Sequence, residues 1–174
     1  MDISQKMIEV AKIENHSPKI DDIHLSMEDL STLNQKFDIV VSSLAFHYVE
    51  AYPKLIKDIY HLLTDGSYLL FSQEHPLVTS HSQRERWTKN DNGMKLYANI
   101  SNYGREGERD VVWFVEHVQK YHRTFSTIIN TLVDAGFKIE KIMEPLPDND
   151  ILKLRPEYED LFHRPDFLII KVKK

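Results

Sequence analysis

The sequence predicts a single α/β domain. Two observations carry that reading. The first is a strand–helix–strand pattern between residues 37 and 73. The second is a strongly amphipathic helix from Phe125 followed by two further strand patterns. A length of 174 residues suits one domain with a real core.

Ser4 can cap a helix over residues 5–14, where Met7, Ile8, Val10 and Ala11 share a face. Ile20, Ile23 and Leu25 suggest a short strand ending at Ser26. FDIVVSS, residues 37–43, is a near-continuous apolar run, the pattern of a parallel strand buried on both faces. Pro53 suits a first helical turn, Leu55, Ile56, Ile59, Leu62 and Leu63 repeat at helical spacing, and Asp65-Gly66 ends the pattern. SYLLFSQ, residues 67–73, is a second buried strand, so the three elements form a right-handed βαβ crossover.

Residues 77–110 turn polar, dotted with Trp87, Tyr97 and Tyr103. So long a stretch in a compact domain predicts a lid, here with a hairpin near Gly93 and a turn at Gly104–Gly107. VVWFV, residues 111–115, returns as a strand. Phe125, Ile128, Ile129, Leu132 and Val133 mark the clearest amphipathic helix, ended by Ala135-Gly136. Residues 137–144 alternate as a half-buried strand that Pro145 and Pro147 break. A short helix around 156–162 and a strand over 166–173 complete the domain.

Composition narrows the function. A net charge of −5 with scattered Lys and Arg argues against nucleic acid as a partner. No apolar run approaches the roughly 20 residues of a membrane span, and the N-terminus does not read as a signal peptide, so a cytoplasmic home is expected. With no cysteine there are no thiolate zinc sites, disulfides or cysteine nucleophiles. HExxH is absent, and His117 and His122 are poorly spaced for one helical face, so no metal site is expected. GxSxG, GxGxxG and P-loop signatures are also absent, and the first of five glycines is Gly66.

Ligands of open α/β sheets bind beyond the carboxyl ends of the strands. Three polar clusters fall at strand ends or in loops: Ser42–Tyr48, Gln73–Pro76 and Tyr121–Thr124. Any one of their histidines alone reads as a half-buried loop residue, but together the clusters supply acid–base groups, with His75 and His122 the candidates for a catalytic base.

The ordered segments DIS-xx-M, SMEDL, FDIVVSSLAFHYV, LLTDGSYLLFSQEHP, EGER and KYHRTF resemble class I S-adenosylmethionine-dependent methyltransferases of the bacterial small-molecule type over nearly the whole chain. The resemblance implies a Rossmann-like sheet, S-adenosylmethionine as cofactor and a small-molecule substrate. It implies that Asp2 grips the ribose, that Ser26, Met27 and Glu28 line the adenine, and that Ser43, Leu44 and Ala45 lie under the methionine part. Tyr48, Glu74, His75, His122 and Arg123 would face the substrate.

The family's opening strand and glycine-rich turn, of the type xLDxGCGxG, have no counterpart here. The expectation is therefore a domain lacking its N-terminal βα unit, with weak cofactor binding and impaired activity. The alternative is a non-catalytic α/β module. In either case residues 37–43 would present an open apolar edge. Residues 20–25 could slide onto it, or two chains could associate across it. Association into a homodimer is the expectation, because a sliding strand does not replace a lost helix.

Overall fold

The computed structural model describes residues 1–80, 85–112 and 115–174. Its main sheet has four strands in the order β1 (Phe37–Ser43), β2 (Leu63–Glu74), β8 (Phe167–Lys173) and β7 (Lys138–Met143). β1 and β2 are parallel, and β8 runs antiparallel to both of its neighbours, β2 and β7. The strand recognised last in the sequence thus lies inside the sheet.

Helix α2 (Tyr52–Leu62) makes the crossover from β1 to β2, with Pro53 in its first turn. Its apolar stripe of Leu55, Ile56, Ile59 and Leu62 is buried. α4 (Phe125–Asp134) begins at Thr124, whose hydroxyl accepts from the Thr127 N–H at 3.2 Å, and buries Ile128 and Leu132. Both helices contribute to one core with Leu69 and Phe71 of β2 and Leu168, Ile170 and Val172 of β8. Phe71 sits opposite Ile170 and Leu69 opposite Val172, so the buried face is continuous across the two strands.

α1 (Gln5–Glu14) is capped by Ser4, but of its residues only Ile8 is buried, and Met7 and Ile13 remain exposed. Between β2 and α4 the chain forms α3 (Pro76–Thr79), a hairpin of β3 (Trp87–Lys89) and β4 (Lys95–Ala98) turning at Gly93, and a second hairpin of β5 (Gly107–Val111) and β6 (Val118–His122). α5 (Asn149–Leu154) and a 3-10 turn over Pro156–Phe162 precede β8.

Several expectations need correction. Residues 20–25 form no strand. They make one parallel bridge, Asp2 to His24, in which the Asp2 N–H donates to Ile23 and the Leu25 N–H to Asp2. They do not slide onto β1. β1 is covered on one face only, with Ile39 and Val41 exposed at 55% and 64%. β2 starts directly after Leu62, so α2 ends before Asp65-Gly66. The strand expected over 111–115 ends at Val111, and residues 113–114 of that stretch lie outside the described residues. α5 had no helical stripe to announce it; the Asp148 side chain starts it by accepting from the Asp150 and Ile151 N–H groups.

Candidate functional site

A cavity of about 990 Å³ lies along β1, inside the range of small-molecule and cofactor pockets. Asp2, Ser26, Met27 and Glu28 line one side of it, and Ser43 and Ala45 line the carboxyl end of β1. Local hydrogen bonding sets this wall. The Asp2–His24 bridge brings the chain start beside Ser26, and Asp2 Oδ1 accepts from the Ser4 N–H at 2.7 Å. Ser26 caps the 3-10 turn Met27–Thr32 by accepting from the Glu28 N–H at 3.2 Å. Lys54 of α2 donates to the Glu28 carbonyl at 2.7 Å and fixes that turn to the body.

At the end of β1 the backbone turns sharply. Leu44 has φ of +51°, a left-handed conformation that costs a non-glycine residue about 1 kcal/mol. Its N–H donates to the Ser72 carbonyl at 2.9 Å, which holds the turn against β2. Leu44 does not line the cavity, unlike the other residues expected to hold the cofactor. Strain of this kind is common where a strand end presents backbone to a ligand.

A second cluster forms where β6 crosses the ends of β1 and β2. Lys120 of β6, with its side chain 7% exposed, donates to Glu74 at 2.5 Å. Its ammonium also lies 5.7 Å from the centre of the Tyr48 ring. Tyr48 lines the cavity, so it connects this ion pair to that space. Burial, followed by the charge of Glu74, raises the Tyr48 hydroxyl above its ordinary pKa. His47 is buried beside them, and its Nδ1 accepts from the Glu74 N–H at 3.3 Å. Burial above all, with the Lys120 and Arg123 cations outweighed in part by Glu74, lowers His47 to about 4. His47 is therefore neutral at physiological pH, with its proton on Nε2.

Arg123, expected to face substrate, is a clamp. It donates to the carbonyls of Val49, Glu50 and Tyr121 and lies over the Tyr52 ring at 4.9 Å. It fastens the turn after β1 to the end of β6. His75 and His122 are buried and do not line the cavity. His75 Nδ1 accepts from the Leu77 N–H at 3.1 Å, capping α3, and its Nε2 donates to Glu144 at 2.9 Å. His122 Nε2 donates to the Tyr103 carbonyl at 2.8 Å, and its Nδ1 accepts from the Thr79 hydroxyl at 2.8 Å. Burial lowers the pKa of both against the opposing pull of those acceptors.

Of the three lid aromatics, Tyr103 lies nearest these residues. Its ring is 5.7 Å from His122 and its hydroxyl accepts from the Phe125 N–H. Trp87 packs against His163 and Arg164, and Tyr97 is exposed. None of the three lines the cavity. Among the described residues, no three His, Asp or Glu side chains converge as a metal site, and no helix is long and apolar enough to cross a membrane.

Residues 1–71 match a family model described as a methyltransferase domain. An uncharacterized protein of Haemophilus influenzae is 41% identical over 179 residues, covering 99% of this chain and 70% of that protein. A solved structure of an S-adenosylmethionine-dependent methyltransferase from Mesorhizobium loti is 32% identical, with a TM-score of 0.82 over 99% of this chain and 78% of its own. A structure from Listeria monocytogenes gives 33% identity and a TM-score of 0.86, over 99% of this chain and 77% of its own.

The chain belongs to the S-adenosylmethionine-dependent methyltransferase family.

The sheet is that of a Rossmann-like class I methyltransferase, and a Bradyrhizobium japonicum N-methyltransferase solved with S-adenosyl-L-homocysteine, 12% identical with a TM-score of 0.58, has the same fold. In this methyltransferase domain the polar clusters read at the strand ends do meet: Ser43–Tyr48, Glu74 and the end of β6 come together. His47 belongs to the Ser42–Tyr48 cluster, whereas Lys120 is not among the expected site residues. Lys120 stands two residues before His122, and that alternation along one strand is the signal that would have found it.

Proposed function

We propose that this methyltransferase domain transfers the cofactor's methyl group to a nucleophilic atom of a small molecule, with the cofactor in the cavity along β1. One observation carries the reading: six of the seven residues that the family pattern assigns to the cofactor line that one cavity. Asp2 has a carboxylate suited to a ribose diol, the Ser26–Glu28 turn offers backbone edges for adenine, and the Ser43–Ala45 turn approaches the methionine end. When bound, S-adenosylmethionine supplies an electrophilic methyl group on a sulfonium.

Tyr48 and Glu74 orient the acceptor at the carboxyl ends of β1 and β2, and Lys120 holds the Glu74 carboxylate in place. Catalysis is mostly alignment of the acceptor with the methyl group. His75 and His122 act as positioning residues rather than bases, because both ring nitrogens of each are already hydrogen-bonded.

The described cavity wall contains no glycine, and the proposed affinity of this wall for the cofactor is weaker than micromolar. Calorimetric titration with the cofactor and its demethylated product tests this reading. Weak binding that D2A reduces about tenfold supports it. No heat at millimolar cofactor, or binding indifferent to D2A, overturns it. The exposed Ile39 and Val41 favour a second reading, a module that associates with a second copy along β1.

A further inference from the structure

Arg164 lies between the 3-10 turn and β8, with 6% of its surface exposed. Its Nη2 donates to Asp166 at 3.1 Å, while its Nε and Nη1 are buried and have no hydrogen-bond partner among the described residues. Buried polar groups are almost always paired, and Arg–carboxylate pairs are usually bidentate. A singly bonded, buried guanidinium therefore has unused capacity for an anion.

Its surroundings indicate which anion. The Asp166 carbonyl accepts from the His75 N–H at 2.9 Å, and Phe167 pairs with Glu74, so Arg164 stands at the same end of the sheet as the acceptor-facing residues. The Trp87 ring covers the guanidinium, its centre 5.0 Å from Cζ. The Lys95 ammonium sits 4.6 Å from the same indole and pairs with Asp160. Two cations thus share one indole, but Asp160 and Asp166 already supply two negative charges. A dianionic phosphate would meet more repulsion there than a monoanionic carboxylate, and a carboxylate offers the paired oxygens that an arginine prefers.

We propose that Arg164 binds a carboxylate group of the methyl acceptor, beneath the β3–β4 hairpin. This rests on the methyl-transfer reading for the identity of its ligand and deepens it, making the substrate an anionic small molecule. Because Nε and Nη1 are enclosed, entry requires the hairpin to lift Trp87 from the guanidinium. The hairpin meets the body through Trp87 on His163 and Lys95 on Asp160, contacts that can break without opening the core.

The test is a titration of the full chain with acetate, malonate and inorganic phosphate at constant ionic strength. It is followed by NMR of the Trp87 indole N–H, assigned with W87F, and of the Arg164 Nε–H. The expected result is a saturable shift of both signals with the carboxylates and a weaker response to phosphate. R164Q should abolish the response, and R164K should weaken it about tenfold. D166N keeps the guanidinium and removes its competing carboxylate, so it should tighten binding even if R164Q fails to fold. No saturable shift in the wild type, the same shift in R164Q, no tightening in D166N, or phosphate binding tighter than the carboxylates would each overturn the proposal. Cofactor calorimetry on the same samples separates the two ideas. Anion binding without any cofactor binding would sink the methyl-transfer reading and leave the anion site standing.

Discussion

His47, Glu74 and Lys120 form the most consequential polar group in the molecule, because each is held by another. The unfolded chain protonates His47 near its ordinary value of 6.5, whereas the folded chain resists protonation down to about 4. Between those values the unfolded state binds more protons, so stability falls as pH drops through that window. His75 and His122, also lowered, act in the same direction. The contribution of His47 is on the order of 3 kcal/mol. Urea midpoints measured from neutral pH to about 4 should fall, and H47Q should flatten the slope. A slope unchanged in H47Q would contradict the burial argument. Lys120 carries a second consequence. K120M leaves the Glu74 carboxylate largely buried without its partner and should cost about 3 kcal/mol in chemical denaturation, whereas the double variant K120M/E74L should recover most of it. At this scale the sequence was legible where a strand ended in polar residues, as at Ser43–Tyr48 and Glu74. For Lys120 the only signal was its alternation with His122 along one strand, and Arg164, which reaches the same end of the sheet from a distant segment, was illegible. No spacing rule links residues that only tertiary structure brings together.

Elements with a strong apolar period were read correctly. α2 and α4 each bury one stripe; α2 carries Pro53 in its first turn, and the Thr124 hydroxyl caps α4. The segment 20–25 was misread because three apolar residues look like a strand whether or not a partner strand lies beside them. α5 was missed because its start depends on one aspartate side chain rather than on a pattern. The end of α4 gives a test. Gly136 has φ of +100°, and a Cβ there would lie 3.1 Å from the Tyr60 ring. Tyr60 also packs edge-on against Phe137 at 5.0 Å, so it cannot retreat freely. G136A should therefore destabilise the domain by about 2 kcal/mol, from backbone strain and crowding together. A thermal midpoint equal to that of the wild type would show that the ring yields.

For the whole molecule, the α/β class and the βαβ crossover were legible, and the burial of β1 was not. An apolar run predicts burial on two faces only if something covers both, and the run itself does not say what does. Ile39 and Val41 consequently stay exposed along the open cavity on an edge strand, an arrangement that invites pairing with another chain. Sedimentation at high protein concentration should show a dimer, and I39K/V41K should shift it to monomer. Because both side chains are exposed, the double variant should change monomer stability by no more than about 0.5 kcal/mol per site. A wild-type monomer at all concentrations would refute association.

The position of β8 also governs the order of assembly. β1, α2 and β2 are contiguous in the chain and can form early as a local unit, as can α4 with β7. Neither unit completes the sheet, because β7 joins β2 only through β8. The β2–β8 pairing closes a loop that contains both hairpins and α4. That closure must precede most of the burial of Leu168, Ile170 and Val172, so it is the natural bottleneck of folding. Until it happens, the end of the sheet where Glu74 lies beside Phe167 does not exist as a surface, and that polar cluster is the last part of the molecule to take shape.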